Sequence, residues 1–204
     1  MLKRSIKFLR PKHERRLWRR GYQFVAGVDE VGRGAWAGPL VAAAVIFPAE
    51  VKLAGINDSK LLTPQARRNR FYFIIRQAVA WGLGVVERET IDSIGLQPSN
   101  RLAFRLALEQ MNALPDYVYL DALPFRFGRV PTESVIGGDR KIFSIAAASI
   151  IAKAYRDYLM ERWHVRYPNY GFNAHKGYGT AEHRTALLKH GLCPIHRQCF
   201  SLPV

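Results

Sequence analysis

Two adjacent carboxylates, Asp29 and Glu30, lie between an apolar run and the turn Gly32-Arg33-Gly34. The chain that carries them has a formal net charge of +15, and a strongly basic protein tends to bind polyanions. Acidic side chains on such a surface oppose that binding unless a cation neutralises them, and carboxylate oxygens suit Mg²⁺ and Mn²⁺. The pair therefore predicts a metal-dependent enzyme that acts on nucleic acid.

Two more acids are placed to join this pair. Asp121 follows the apolar segment 117–120, and ligands of open α/β sheets bind beyond the carboxyl ends of strands. Asp157 falls in a long predicted helix, with Ser149 and Lys153 at four-residue steps on the same face. Phosphodiester hydrolysis by two metal ions needs several carboxylates around cations about 4 Å apart. The predicted catalytic and metal-binding set is therefore Asp29, Glu30, Asp121 and Asp157.

Each of these acids also has a structural interpretation. An Asp before a turn is common, and Asp157 could form a surface ion pair with Lys153. Neighbouring residues on a regular strand point to opposite faces, so Asp29 and Glu30 share one site only if the strand breaks near them. The turn at Gly32 is where we expect that break.

Two glycine-rich segments could contact the nucleic acid. The turn at 32–34 offers close backbone approach and exposed amides, which a contact to the nucleic-acid backbone or a ribose 2′-hydroxyl requires. In segment 175–180, Tyr178 stands between two glycines and could stack on a sugar or base. Gly-X-Gly turns are also frequent, and the second segment could be a tight turn with Thr180 as a helix N-cap.

A zinc site near the C-terminus is the less favoured of two interpretations. His190, Cys193, His196 and Cys199 recur at three-residue steps, and Cys and His are the usual ligands of zinc. The spacing matches no common zinc pattern. Buried or incidental Cys and His side chains are the favoured interpretation.

Composition indicates a cytoplasmic protein of one domain, or of one domain with an extension. The chain has 204 residues, 49% of them hydrophobic, which suffices for one core. Two cysteines suggest a reducing compartment. The longest apolar stretch, 35–49, is too short for a transmembrane helix and contains Gly38, Pro39 and Pro48, and no apolar core of a secretory signal follows Met1. We expect a monomer without a membrane partner.

Residues 1–20 are unusually basic. They contain nine Lys or Arg residues and one acid, Glu14. Such a segment is either a solvated, frayed terminus or an arm that binds nucleic acid. The sequence leaves both interpretations open.

The remaining segments predict an α/β fold in which helices pack on a mixed sheet. Strands are expected at 22–28, 40–47, 84–86 and 117–120, the first two forming an antiparallel pair. Helices are expected from Thr63-Pro64 to Gly82, from Pro98 through Met111, and over 142–166 and 181–190.

With these motifs in place, the chain closely resembles bacterial ribonuclease HII, the type 2 ribonuclease H. The matching segments span about residues 24–200 and keep the order of that family. They are 27–34 (Gly-Val-Asp-Glu-Val-Gly-Arg-Gly), 57–60, 119–123, 144–153, 156–157, 175–180 and 193–197.

The resemblance implies a ribonuclease H-like fold, with a basic arm at 1–20, a catalytic domain at 21–166 and a helical extension at 167–204 packed on that domain. It implies an endonuclease that uses Mg²⁺ or Mn²⁺ to cut the RNA strand of RNA–DNA hybrids. It also implies cleavage on the 5′ side of single ribonucleotides embedded in duplex DNA, leaving 3′-hydroxyl and 5′-phosphate ends. The sequence does not identify a replication or repair protein as partner.

By the same resemblance, the functional residues fall into three groups. The four acids Asp29, Glu30, Asp121 and Asp157 become the metal-binding carboxylates. Segment 32–34 becomes the reader of the 2′-hydroxyl, and Tyr178 stacks at the RNA–DNA junction. Lys60, Ser149 and Lys153 become candidate phosphate contacts.

Two other functions compete with this assignment. The charge of +15 alone would suit a non-catalytic nucleic-acid binding module, although such a module gains nothing from carboxylates beside phosphates. A nuclease of related fold that cuts DNA junctions is the second. Segment 32–34 and Tyr178 argue against it, because pure DNA offers no 2′-hydroxyl to read.

Overall fold

In the computed structural model, residues 8–51, 56 and 62–203 are described. They contain a mixed sheet in the strand order β3-β2-β1-β4-β5. The antiparallel part comprises β1 (Val25–Val31), β2 (Leu40–Ile46) and β3 (Ala80–Val86). Strands β4 (Tyr117–Asp121) and β5 (Thr132–Val135) continue the sheet parallel to β1. The predicted α/β class and the antiparallel pairing of β1 with β2 are confirmed.

Strand β2 is buried on both faces, as its uninterrupted apolar sequence predicts. Its alternate side chains pack into two different cores. Leu40 and its partners face a layer that contains α3 (Arg88–Ile94) and α4 (Leu96–Glu109). Val41 and its partners face α2 (Pro64–Gln77) and α5 (Phe143–Arg166). The sheet is therefore sandwiched between helices, and α5 lies along β1 and β2.

Helix α2 begins as predicted, because the Thr63 side chain accepts a hydrogen bond from the Ala66 N–H. The predicted end of this helix at Gly82 is wrong, since α2 ends at Gln77 and Gly82 belongs to β3. A Cβ at Gly82 would overlap the carbonyl oxygen of Ala107 on α4. The glycine thus permits close packing of a helix on the strand rather than ending a helix.

The basic N-terminal segment contains a helix that the sequence did not predict. Helix α1 (Lys12–Trp18) buries Glu14 and Leu17. The Glu14 carboxylate accepts hydrogen bonds from the main-chain N–H and the hydroxyl of Ser144, at 2.8 and 2.7 Å. A frayed terminus therefore does not describe residues 12–18, which are fixed against the first turn of α5.

The C-terminal segment packs on α5 and on the loop after β1. It contains a 3-10 turn, α6 (Phe172–His175) and α7 (Ala181–His190). Thr180 caps α7 as predicted, by accepting a hydrogen bond from the His183 N–H. One apolar cluster joins this segment to Ala37 and Met160. Within the described part of the chain, no helix has the length and apolar character needed to cross a membrane.

Candidate active site

The carboxylates of β1 and β4 lie near the carboxyl-terminal ends of these two neighbouring parallel strands. Val28 pairs with Leu120 in the parallel register, so Asp29 and Asp121 are next in line on adjacent strands. The strand breaks where expected, because β1 ends at Val31, directly before the turn at Gly32, although Asp29 and Glu30 themselves still belong to the strand. Asp29 therefore faces α5, where the Ser149 hydroxyl hydrogen-bonds to it. Glu30 faces α4, where it lies beside Asn100.

The proton affinities of these acids show how closely their charges interact. Burial raises the pKa of Asp29 well above its usual range, and the charges of Glu30 and Asp121 raise it further. Burial also raises the pKa of Glu30 to about 7, with Asp121 again adding to the effect. Three carboxylates that disfavour one another's ionisation are stabilised together by a bound cation.

Unpaired polar atoms point to the same conclusion. Among the described residues, Glu30 Oε2 and both amide atoms of Asn100 are buried without a hydrogen-bond partner. Such atoms are uncommon in folded proteins, and a missing ion or water is one explanation for them. The carboxylates do not form a closed cage, because no three His, Cys, Asp or Glu side chains in the described ranges converge closely enough to hold a metal. The carboxylate and amide oxygens present are donors that suit divalent cations such as Mg²⁺ and Mn²⁺.

Asp121 is held by the chain that follows it. Its Oδ1 accepts a hydrogen bond of 2.7 Å from the Gly138 N–H. The next residue, Ala122, has a φ of 50°, a left-handed conformation uncommon for residues with a side chain. Strained backbone of this kind is concentrated at functional sites, where the surrounding structure stabilises it.

Asp157 lies further along α5 than Ser149, the residue that contacts Asp29. Helix α5 runs along β1 so that Ser149 meets Asp29 and Arg156 meets Gly32. Asp157 lies eight residues after Ser149, which corresponds to about 12 Å along a helix axis. The Asp157 carboxylate contacts the Lys153 ammonium at 2.6 Å and the Arg67 guanidinium at 2.8 Å. The ion pair of the structural interpretation is therefore present, and the role of Asp157 as a metal ligand stays a prediction.

Asp139 is an acid that the sequence reasoning missed. It lies in the 3-10 turn Gly138–Arg140, and its side chain is only 8% exposed. The Gly138 N–H that binds Asp121 belongs to the residue directly before it. A detectable signal was present, because a Gly-Gly-Asp segment at 137–139 stands just before the longest predicted helix.

The turn after β1 has one face exposed to solvent and the other in contact with two buried arginines. Gly32 is buried with a φ of 91°, and a Cβ there would overlap the Arg156 guanidinium. Arg33 and Gly34 are exposed. The Arg197 guanidinium, fully buried, donates to the carbonyl oxygen of Arg33 at 3.1 Å.

Tyr178 lies beside this turn. Its backbone forms a bridge with Ala35, and the Gly177 carbonyl accepts a hydrogen bond from the Trp36 N–H. The guanidinium of Arg156 and the ammonium of Lys153 lie 5.3 and 5.8 Å from the centre of the Tyr178 ring. The structure thus brings together segment 32–34, Tyr178 and Lys153, and places Ser149 against Asp29. Lys60 lies outside the described residues.

Two of the four candidate zinc ligands, Cys193 and His196, belong to a hydrogen-bond relay instead. The Cys193 N–H donates to His196 Nδ1 at 2.8 Å, and His196 Nε2 lies 3.0 Å from His183 Nε2. His183 Nδ1 lies 3.0 Å from the carbonyl oxygen of Tyr178, which can only accept. Neutral His183 therefore donates from Nδ1 to Tyr178 and accepts at Nε2 from His196. The relay supports the backbone of Tyr178.

Solved structures share this arrangement of sheet and helices. The ribonuclease H2 of Pyrococcus horikoshii OT3 has a TM-score of 0.78 and 26% identity, with 88% of this chain and 95% of the other covered. Bst-RNase HIII in complex with Mn²⁺ has a TM-score of 0.73 and 19% identity, with 89% and 68% covered. The fold and the acidic site define a nuclease of the ribonuclease H-like class.

The sequence comparison narrows this class to one family. A family model described as Ribonuclease HII matches residues 26–202. The Ribonuclease HII of Listeria monocytogenes serotype 4b (strain F2365) is 47% identical over 190 residues, or 93% of this chain and 72% of that protein. This chain belongs to the ribonuclease HII family. It is a type 2 ribonuclease H, a hydrolase that cleaves the RNA strand of RNA–DNA hybrids, which excludes the non-catalytic binding module.

Proposed function

We propose that this ribonuclease cuts duplex DNA on the 5′ side of a single embedded ribonucleotide, as well as the RNA strand of hybrids. The products would carry 3′-hydroxyl and 5′-phosphate ends. The observation that carries this proposal is the position of segment 32–34 and Tyr178 beside one another, next to the acids at the end of β1. The segment that would bind the 2′-hydroxyl and the ring that would stack on a nucleotide therefore lie beside the carboxylates that would take part in hydrolysis.

Asp29, Glu30, Asp121 and Asp139 are the side chains that would hold Mg²⁺ or Mn²⁺. Three of them were predicted, and Asp139 replaces Asp157 because its neighbour Gly138 binds Asp121. The raised pKa values of Asp29 and Glu30 and the unpaired Glu30 oxygen support cation binding here, as does the Mn²⁺ complex of Bst-RNase HIII. When bound, two such ions would activate water and neutralise the developing charge on the leaving oxygen.

The chain's own groups would position the substrate. The exposed backbone at Gly34 would approach the ribose, where only a small residue leaves room. The half-buried ring of Tyr178 would stack on the nucleotide after the ribonucleotide. Lys153 would neutralise a phosphate, while Asp157 holds its ammonium in place. Ser149 would orient Asp29, and Lys60 stays a predicted phosphate contact.

The test is cleavage of an end-labelled DNA duplex that contains one ribonucleotide, with Mg²⁺, Mn²⁺ or EDTA. An all-DNA duplex and a continuous RNA–DNA hybrid serve as controls. We expect one metal-dependent cut on the 5′ side of the ribonucleotide, and none in the all-DNA duplex. Cleavage of the hybrid alone would remove the junction-reading role from Tyr178. Equal cleavage of the all-DNA duplex would support a junction nuclease.

A further inference from the structure

Two fully buried arginines, Arg156 and Arg197, are bound mainly to backbone carbonyls. Burying a guanidinium is costly unless its donors find partners. Both guanidinium groups donate to main-chain oxygens, and most of these acceptors lie in the loop that follows β1. Two costly buried guanidinium groups bound to one loop indicate that the conformation of this loop is important for function.

Arg197 binds both ends of the loop. Its Nε and Nη2 donate to the carbonyl oxygen of Gly38 at 3.0 and 2.8 Å, and its Nη1 donates to that of Arg33 at 3.1 Å. In a trans peptide the carbonyl oxygen and the following N–H point in opposite directions. Because Arg197 holds the Arg33 oxygen inward, the N–H of Gly34 points away from the protein interior.

Arg156 joins the same loop to the segment of Tyr178. Its Nε and Nη2 donate to the carbonyl oxygens of Pro39 and Ala37, at 2.9 and 3.0 Å. Its Nη1 donates to the carbonyl oxygen of Lys176 at 2.8 Å. The guanidinium also lies 5.3 Å from the centre of the Tyr178 ring. One side chain thus fixes the distance between the two elements that would read the substrate.

We infer that Arg197 and Arg156 are positioning residues for ribonucleotide recognition. Arg197 aims the Gly34 N–H at the substrate, and Arg156 locks the 33–39 loop to Tyr178. The inference rests on the proposed function, in which segment 32–34 and Tyr178 contact the ribonucleotide and the junction. Both arginines are fully buried and so out of reach of a bound nucleic acid, and their loss should therefore affect alignment more than affinity.

The variants Arg197→Lys and Arg156→Lys test this role, because Lys keeps the charge but loses the planar fork of donors. Arg88→Lys is the matched control, since its guanidinium also bonds to the C-terminal segment but does so at the Pro194 carbonyl, outside the 33–39 loop. For each variant we would measure single-turnover rate at saturation and Kd, on a single-ribonucleotide duplex and on a continuous hybrid. Amide hydrogen exchange of residues 33–39 and the melting temperature complete the set.

We expect Arg197→Lys and Arg156→Lys each to lower the single-turnover rate at saturation by about tenfold or more. Misplacing a substrate by about 1 Å can lower a reaction rate on the order of 100-fold. Kd should change by less than about threefold, because phosphate contacts dominate affinity. Exchange of the 33–39 amides should become faster. Arg197→Lys should affect both substrates equally, whereas Arg156→Lys should affect the single-ribonucleotide duplex more strongly, because only that duplex presents the junction.

An unchanged saturated rate in Arg197→Lys, or faster exchange without loss of rate, would overturn the inference. An unchanged substrate ratio in Arg156→Lys would overturn its link to Tyr178. Should Arg197→Lys fail to fold, Arg197→Gln removes the buried charge and takes its place. If the wild-type protein cuts only the continuous hybrid, the single-ribonucleotide proposal fails, while rate and exchange on the hybrid still decide the role of Arg197.

Discussion

The main-chain N–H of Gly138 donates to the Asp121 carboxylate over 2.7 Å. This bond ties the turn before α5 to the end of β4, and Asp139 is the next residue of that turn. On helix α5, the Asp157 oxygens contact Arg67 and Lys153 instead.

The first prediction separates these two acids. Asp139→Asn should lower the cleavage rate by about 100-fold or more, because loss of even an outer-shell partner of a metal site costs roughly 10–100-fold. Asp157→Asn should cost less and leave the Mg²⁺ dependence unchanged, because it weakens the ion pairs with Lys153 and Arg67 and removes no metal ligand of the proposed site. Rates measured across a series of Mg²⁺ concentrations decide between the two acids. A larger loss in Asp157→Asn, with a shifted Mg²⁺ dependence, would restore Asp157 as the ligand.

The second prediction concerns Gly32. Gly32→Ala should destabilise the protein by about 1–3 kcal/mol, because its φ of 91° is unfavourable for a side chain and the methyl group would meet Arg156. Gly34→Ala is the matched control for stability, since a Cβ there meets open space. Urea unfolding gives the free energies. Equal stability of the two variants would contradict the described packing of Gly32 on Arg156.

The third prediction concerns the attachment of α1. Glu14→Ala leaves the Ser144 N–H and hydroxyl without their acceptor, so we expect a loss of about 1–3 kcal/mol of stability. Glu14→Gln keeps an acceptor oxygen and should cost less. Unfolding curves of both variants provide the comparison, and identical curves for wild type and Glu14→Ala would show that α1 is not docked through this bond.

The fourth prediction tests whether the basic N-terminal segment binds nucleic acid. Arg15, Arg16 and Arg19 are exposed around α1. Replacing all three with Gln should weaken hybrid binding and make the plot of log K against log salt less steep, by about one unit of slope for each phosphate that the segment no longer neutralises. Titrations at several salt concentrations measure that slope, and an unchanged slope would mean that α1 does not touch nucleic acid.

The last prediction is a pH dependence of stability. Burial lowers the pKa of His183 to about 4, below its ordinary value of 6.5. Between these values the unfolded chain binds more protons than the folded chain, so stability should fall as the pH drops through this window. Burial also lowers the pKa of His175, which stacks on His183, and the pKa of His196, which hydrogen-bonds to His183. Both groups add to the loss of stability at low pH.

His183→Gln removes one of these groups, so its stability should depend less steeply on pH than that of the wild type. Urea unfolding at pH 7.5 and pH 5 compares the two slopes, with the intact acid cluster common to both proteins. Parallel pH profiles would show that His183 does not stay neutral in the folded state.

Local pattern was enough for much of the fold. Thr63 and Thr180 cap helices as predicted, and the apolar run of β2 is buried on both faces. These features depend on near neighbours in the chain, which a sequence displays directly. Strand β5 has no such signal, because its four residues are half-buried or exposed and pair with β4 at the end of the strand order. Its existence depends on a partner strand.

The sequence by itself determined the chemistry, since adjacent acids on a basic chain already indicate a metal-dependent nuclease, and its motifs identify the family. Only the tertiary structure decided which acids meet. The sequence pointed to Asp157 and not to Asp139, whereas in the structure Asp157 pairs with Arg67 and Lys153, and the residue directly before Asp139 donates to Asp121. The same holds for Arg197, whose bond to Arg33 spans 164 positions. Contacts between distant segments follow from packing, which the order of residues does not display.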